Sequence, residues 1–394
     1  MTMLAPRRLG HAAAAAAAAA AVIAVMAVMA AVVPARAQAS RPIGDIRVFT
    51  TLRYPGTPGG VAVDGRTLYV DTSAANFDRP FDGSDQLDAF NIDSARQNGA
   101  PVQVQRQYPV APMGLAGLAL DADGRLYAAD MNGRIDRIDP RTGGQEVYAT
   151  IPTGTDTAFP DMPTFIVFDA GGNLYVGDAG GEPIIWRVPP GGGVAQAWFV
   201  DPRLAGTWAA TVLGITVDPS GRYLYIATGN QAPGIVIYRL PFAHPDSAHL
   251  EEFHRYRDLV VSACSPEATP ALLSCLATQP LGAGGIAFGA SGDLYVVLLS
   301  KNQLSILRPD GTEARRFPSP EQNAKLDVPL DGPFDLAFDG KGSLLVSNIG
   351  DATNGNGPNN SPPPGGTVNA KNWVVYDVWV NDTAAGVPRP VIVR

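Results

Sequence analysis

Charge, histidine and cysteine are all scarce in this chain. Only 17% of its 394 residues are charged, and it has four histidines and two cysteines. Nor is there any basic excess, since 29 Lys and Arg stand against 37 Asp and Glu. The electrostatic footprint of a nucleic-acid-binding protein is therefore missing, as is a polybasic patch for anionic membranes. Long uninterrupted helical stretches are missing too, because 43 Gly and 35 Pro punctuate nearly every stretch of ten residues. That excludes a coiled coil. The glycines follow no three-residue period, which excludes collagen, and 46% hydrophobic residues are too many for a disordered chain. What remains is a turn-rich, all-β globular protein, long enough to bury a large core.

The longest apolar run lies at the N-terminus. Arg7 and Arg8 precede an unbroken stretch from residue 12 to 33, followed by Pro34 and the small-residue pattern Ala35-Arg36-Ala37. This charged, apolar, then A-x-A order is that of a secretory signal. Residues 1–39 are expected to be a signal peptide cut after Ala37 or Ala39. The run is also long enough to span a bilayer as an uncut anchor, although its alanines make it only weakly apolar. Export places the mature chain in the periplasm or outside the cell, with no membrane attachment after cleavage. Losing Arg7, Arg8 and Arg36 leaves 26 basic residues against 37 acidic ones, a net charge of −11. In an oxidising compartment Cys264 and Cys275 are expected to form one local disulfide. A metal site would need more ligands than two sulfurs.

A repeat organises the rest. Its copies read Gly60-Val61-Ala62-Val63-Asp64 with Leu68-Tyr69-Val70, Gly117-Leu118-Ala119-Leu120-Asp121 with Leu126-Tyr127-Ala128, and Ile166-Val167-Phe168-Asp169 with Leu174-Tyr175-Val176. Three more follow: Gly214-Ile215-Thr216-Val217-Asp218 with Leu224-Tyr225-Ile226, Gly285-Ile286-Ala287-Phe288-Gly289 with Leu294-Tyr295-Val296, and Leu336-Ala337-Phe338-Asp339 with Leu344-Leu345-Val346. Each is two short strands joined by a tight Asp/Gly turn. A period near fifty residues leaves room for two further strands per unit. Third strands are expected at 86–92, 134–138, 184–188, 235–240, 303–307 and 373–380. Fourth strands are expected at 102–108, 145–151, 195–200 and 313–317, with a poorer one near 253–257. The sixth fourth strand is supplied by 46–52 at the other end of the chain, which closes the ring and removes an open edge. The expected fold is an all-β, six-bladed β-propeller over 40–380, with a C-terminal tail at 381–394.

The Gly-φ-Ala-φ-Asp-x-x-Gly-x-Leu-Tyr-Val copies (φ, apolar) resemble the superfamily that holds NHL-repeat proteins and the gluconolactonase/senescence-marker-protein family. The resemblance spans 46–380 and is specific for architecture, since one scaffold serves many functions. It implies a divalent metal, usually Ca2+, held in the central channel by Glu, Asn and Asp five residues before the turn Asp. Those positions here are Gly59, Ala116, Thr164, Leu213, Gly284 and Phe334. None carries a charge. Histidine-dependent relatives need an imidazole near the channel, and no repeat places one there. The mature chain has His244, His249 and His254 between blades four and five, read as a surface cluster.

The loops at 71–85, 152–163, 201–212, 258–284, 318–333 and 348–371 all fall on one face of such a propeller, while the other face has mostly short turns. Long loops on a rigid scaffold are where binding residues sit. Thr164, Phe165, Trp208, Asp331, Phe334 and Asn348 are candidate ligand-binding residues there, because aromatics with a few polar groups suit small organic or glycan ligands. Asp161, Asp331 and Asp335 are placed to converge on the mouth, to bind a cation or to supply a base, with Asp335 and Asp161 as catalytic candidates. Asp78, Asp82 and Asp85 are spaced to wrap a Ca2+ ion, though not as an EF-hand. Plain turn formation by Asp and Asn is the alternative for each set. The leading expectation is a monomeric exported propeller that binds a small molecule or protein on its long-loop face. The rival is a lactone or ester hydrolase with a relocated metal and a carboxylate base.

Overall fold

The computed structural model describes residues 41–53, 57–73, 85–104, 114–152, 161–180, 182–206, 211–229, 234–259, 282–350 and 373–392. The chain divides into two units, Met1–Pro42 and Ile43–Arg394, and the second is a six-bladed β-propeller. The signal-peptide reading of 1–39 lies outside the described residues.

Blade one is β2 (Thr57–Asp64), β3 (Thr67–Ser73), β4 (Asp85–Asn91) and β5 (Val102–Val104). Blade two is β6 (Leu115–Leu120), β7 (Leu126–Asp130), β8 (Arg134–Ile138) and β9 (Gln145–Thr150). Blade three is β10 (Pro163–Phe168), β11 (Leu174–Asp178), β12 (Ile184–Val188) and β14 (Gln196–Val200). Blade four is β15 (Val212–Val217), β16 (Tyr223–Thr228), β17 (Ile235–Pro241) and β18 (Glu251–Tyr256), and blade five is β19 (Ala283–Phe288), β20 (Leu294–Leu298), β21 (Gln303–Leu307) and β22 (Glu313–Phe317). Blade six is β23 (Pro333–Phe338), β24 (Ser343–Asn348) and β25 (Val374–Trp379), completed by β1 (Ile46–Thr51). Strand β1 pairs antiparallel with β25, from Ile46 opposite Val378 to Thr51 opposite Val374. The N-terminal strand thus closes the ring as the sequence implied. The strand expected to be poor is well formed: β18 pairs with β17 along its length. A short extra strand, β13 (Gly193–Val194), leaves blade three and runs parallel to β9 of blade two.

The repeat's residues explain the hairpins. Asp121 Oδ1 accepts the backbone N–H groups of Asp123 and Arg125, both at 2.9 Å, and Gly124 takes the positive φ of 73° that the turn needs. Tyr127 then reaches back to donate to Asp121 Oδ2 at 3.1 Å. The same tyrosine packs edge-to-face on Phe168 of the next blade, centroids 4.9 Å apart at 86°. Tyr225 with Phe288 and Tyr295 with Phe338 repeat that contact at 86° and 89°. Such pairs add about 0.5–1.5 kcal/mol beyond the area they bury. Among the described residues the hydrophobic core is accordingly six clusters, each at the seam between two neighbouring blades.

Candidate functional site

The inner strands β2, β6, β10, β15, β19 and β23 all carry a register shift against their partners. It falls between Pro58 and Val61, Leu115 and Leu118, Pro163 and Ile166, Val212 and Gly214, Ala283 and Ile286, and Pro333 and Leu336. A bulge frees backbone groups and re-aims side chains. These six bulges hold the positions at which the resembled lactonases carry metal ligands.

The bulges are crowded. A Cβ on Gly60 would stand 2.6 Å from the Gly117 Cα of the next blade. Side chains on Gly117, Gly214 and Gly284 would collide with the carbonyl oxygens of Thr164, Gly284 and Phe334. Close approach of backbones, not turn geometry, requires glycine at these points. The buried Thr164 hydroxyl is 3.2 Å from the Gly177 carbonyl and 3.1 Å from that of Val212, stitching blade three to blade four. Phe165 and Phe334 meet with centroids 5.2 Å apart at 33°. Their blades are third and sixth in a ring of six, so the pair bridges the axis.

This donor set does not fit a calcium ion, which takes six to eight oxygens. Gly59 and Gly284 have no side chain and no space for one, as a Cβ on Gly59 would collide with the Asp71 carboxylate. Ala116 and Leu213 are buried and apolar, Phe334 is stacked on Phe165, and the Thr164 hydroxyl is turned toward backbone carbonyls. Among the described residues, no three His, Cys, Asp or Glu side chains form a group able to hold a metal.

Two carboxylates answer the amides that the first-blade bulge frees. Asp71 Oδ1 accepts the Gly60 N–H at 2.9 Å, and Asp335 Oδ2 accepts the Val61 N–H from across the closing seam at 2.9 Å. Asp335 Oδ1 takes the Leu336 N–H at 2.8 Å. Ser347 completes the set: its hydroxyl donates to Gly59 O at 2.6 Å and accepts the Asp335 N–H at 3.1 Å. Both acids are buried, and Asp71 Oδ2 has no hydrogen-bond partner among the described residues. Burial pushes the Asp335 carboxyl up to about 7. Burial first, then the negative charges of Asp335 and Asp85, holds Asp71 well above the usual carboxylate range.

The other candidates separate. Asp85 is not in a loop but begins β4, buried, with its charge directed at Asp71; Asp78, Asp82, Trp208, Cys264 and Cys275 lie outside the described residues. Asp161 is buried beside Asp178. Asp178 is occupied by the N–H groups of Met162 (2.9 Å) and Gly180 (2.6 Å) and by Trp186 Nε1 (2.9 Å). Asn348 Oδ1 accepts the Asp331 N–H at 2.8 Å, so this pair fixes the entry to β23. His244 and His249 stack at 5.0 Å on the opposite face, and His249 Nδ1 pairs with Asp246 at 2.7 Å. His254 lies on β18 and Nδ1 contacts Gly311 O at 2.9 Å, with burial lowering its basicity. Sequence reasoning passed over Asp71. Its signal was a break in the repeat, since the third residue after the Leu of Leu-Tyr-Val is Ala129, Gly177, Ala227 and Val297 in blades two to five.

Comparison with known proteins agrees with the architecture. The family profile described as strictosidine synthase-like, N-terminal, matches residues 117–138, within blade two. No curated protein sequence matches the chain closely enough to count as a relative. Among solved structures, the calcium-binding protein regucalcin from Agrobacterium tumefaciens is 15% identical, with 89% of this chain and 98% of that one covered and a TM-score of 0.57. A luciferin-regenerating enzyme is 10% identical, with 88% and 100% covered and a TM-score of 0.57. A gluconolactonase from Xanthomonas campestris is 13% identical, with 85% and 89% covered and a TM-score of 0.51. At such identities the likeness is one of fold, and it is the gluconolactonase and regucalcin type of six-bladed propeller that the repeat resembled.

Proposed function

We propose that the mature protein is an exported, monomeric propeller that binds a small organic or glycan ligand, or a protein partner, on its long-loop face. It does so without the channel calcium of the lactonases. The observation that carries this reading is the Phe165–Phe334 pair across the axis, among six bulges whose residues offer no set of hard oxygen ligands. A half-buried aromatic such as Phe334 at the axis suits recognition by stacking and apolar contact. No described helix is long and apolar enough to cross a membrane, and the Arg-then-apolar-then-A-x-A order of 1–39 supports export. A disulfide between Cys264 and Cys275 belongs to the same reading.

The alternative is a lactone or ester hydrolase acting outside the cytoplasm. What favours it is Asp335, a buried carboxyl poised at about 7, where a general base is most useful. Both its oxygens already accept backbone N–H groups, which speaks for a structural role. One experiment separates the two readings: purified mature protein is offered a lactone and ester panel, including gluconolactone, with added calcium and with chelator. No turnover and an unchanged Tm in either condition is expected. Calcium-dependent hydrolysis that an Asp335→Asn variant loses would overturn the binding reading. The export reading is checked by the N-terminus of the recovered protein, which should begin at residue 38 or 40, and the disulfide by the absence of free thiols in the unreduced, unfolded chain.

A further inference from the structure

Blade five breaks the repeat at its turn. Where the other blades carry Asp64, Asp121, Asp169, Asp218 and Asp339, it has Gly289. In blades two and three that Asp receives the tyrosine of Leu-Tyr-Val, Tyr127 to Asp121 at 3.1 Å and Tyr175 to Asp169 at 3.2 Å. Blade five keeps its tyrosine, and the Tyr295 hydroxyl donates at 3.0 Å to Asp382 Oδ2, from the C-terminal segment 87 residues later. The same carboxylate accepts the Ser291 hydroxyl at 2.6 Å and the Ser291 N–H at 3.3 Å. A Cβ on Gly289 would collide with Asp382 Oδ2. A local turn Asp and the remote one therefore compete for a single place.

The rest of the segment holds Asp382 there. Ala290 N–H donates to Thr383 O at 2.7 Å and Ala385 N–H to Phe288 O at 2.9 Å, with Ala385 buried in the seam between blades four and five. Four residues on, the Arg389 guanidinium reaches blade one, donating to Asp64 Oδ1 at 2.7 Å and Val63 O at 2.6 Å. Ala122 N–H of blade two donates to Pro390 O at 3.0 Å. Ile392 ends the path 3% exposed in the seam between blades two and three. With the Asn381 N–H donating to Gly342 O of blade six at 2.8 Å, a segment read from sequence as a C-terminal tail thus touches all six blades.

We propose that residues 381–392 are a clasp built into the fold. It closes the ring a second time, on the short-turn face, and Asp382 takes the place of the turn carboxylate that blade five lacks. Ring closure then rests on both ends of the propeller chain, β1 at one and this clasp at the other.

The test is a double-mutant cycle in the full-length protein. Asp382→Ala should lower Tm by about 2–4 °C and raise the rate at which subtilisin trims the C-terminal segment, read by intact mass, by about tenfold. Gly289→Asp should lower Tm in the wild-type background, where two carboxylates collide, and raise it in the Asp382→Ala background, where it restores the local turn. The φ of Gly289 is not positive, so the backbone suits an L-residue once Asp382 is removed and the Tyr295 ring edge, 2.9 Å from such a Cβ, shifts slightly. Tyr295→Phe should cost stability in the wild type and nothing in Asp382→Ala. Should Asp382→Ala not fold at all, recovery of folded protein by adding Gly289→Asp supports the clasp and failure to recover it overturns it. A Gly289→Asp effect of equal sign and size in both backgrounds, or unchanged trimming in Asp382→Ala, also overturns it.

Discussion

The six inner strands end in two very different ways. At the short-turn end they run into short hairpins, with Asp121, Asp169, Asp218 and Asp339 capping four of the turns and the repeat's aromatics packing across a seam. At the long-loop end they carry bulges filled by five different residue types: Gly, Ala, Thr, Leu, Gly and Phe. The repeat is uniform where residues hold one blade to the next, and varied where a bulge turns them toward the axis. Stability and site have been assigned to opposite ends of the same strands.

That contrast can be broken from either side. The largest loss is expected at the seams: Phe168→Ala, which empties the place facing Tyr127, should cost about 3–5 kcal/mol in urea unfolding. Next comes crowding at the bulges. Gly284→Ala sets a methyl against the Phe334 carbonyl and should cost about 1–3 kcal/mol, with no such cost for alanine at exposed Gly386, where a Cβ meets nothing. Smaller still is a pH effect. An acid whose folded pKa is raised holds its proton more tightly folded than unfolded, so its contribution is greatest below the unfolded value of about 4. It is lost as pH rises through about 7, the folded value of Asp335. Asp136 and Asp178, both pushed up to about 7 mainly by burial, act in the same direction. The urea midpoint should therefore fall between pH 5 and pH 8. Asp71→Asn keeps an acceptor for the Gly60 N–H while removing a buried charge, so it should raise the midpoint at pH 8, leave it nearly unchanged at pH 5, and flatten the slope. The smallest effect belongs to the aromatic bridge: Phe334 is half-buried, and Phe334→Ala should cost about 1 kcal/mol. A loss there as large as at Phe168 would erase the distinction between the two ends.

The repeat was legible because its cause is local. Asp121, Asp169, Asp218 and Asp339 cap turns only a few residues long, and the tyrosines lie six residues beyond their Asp in blades two and three. The closing strand was legible from a missing partner, since a blade one strand short had to be completed by 46–52. The site was legible only as a departure, in the neutral residues at 59, 116, 164, 213, 284 and 334. Its geometry was not, because Asn348 bonds Asp331 over 17 residues and Asp335 bonds Val61 over 274. Such pairs leave no periodic trace in a single sequence.

By itself the sequence determined the blade count, the strand order, the ring's closure and the absence of charge from six ligand positions. Each of these follows from hydrophobic alternation, turn chemistry or residue type, which act within a few residues. Only the tertiary structure decided that Phe165 meets Phe334, that Asp71 and Asp335 serve the same bulge, and that Asp382 fills the turn of blade five. Those contacts join residues that are distant in the chain but adjacent once six blades are wrapped round one axis. The demand they meet, a partner for every buried amide and carboxylate, arises only when the ring has closed.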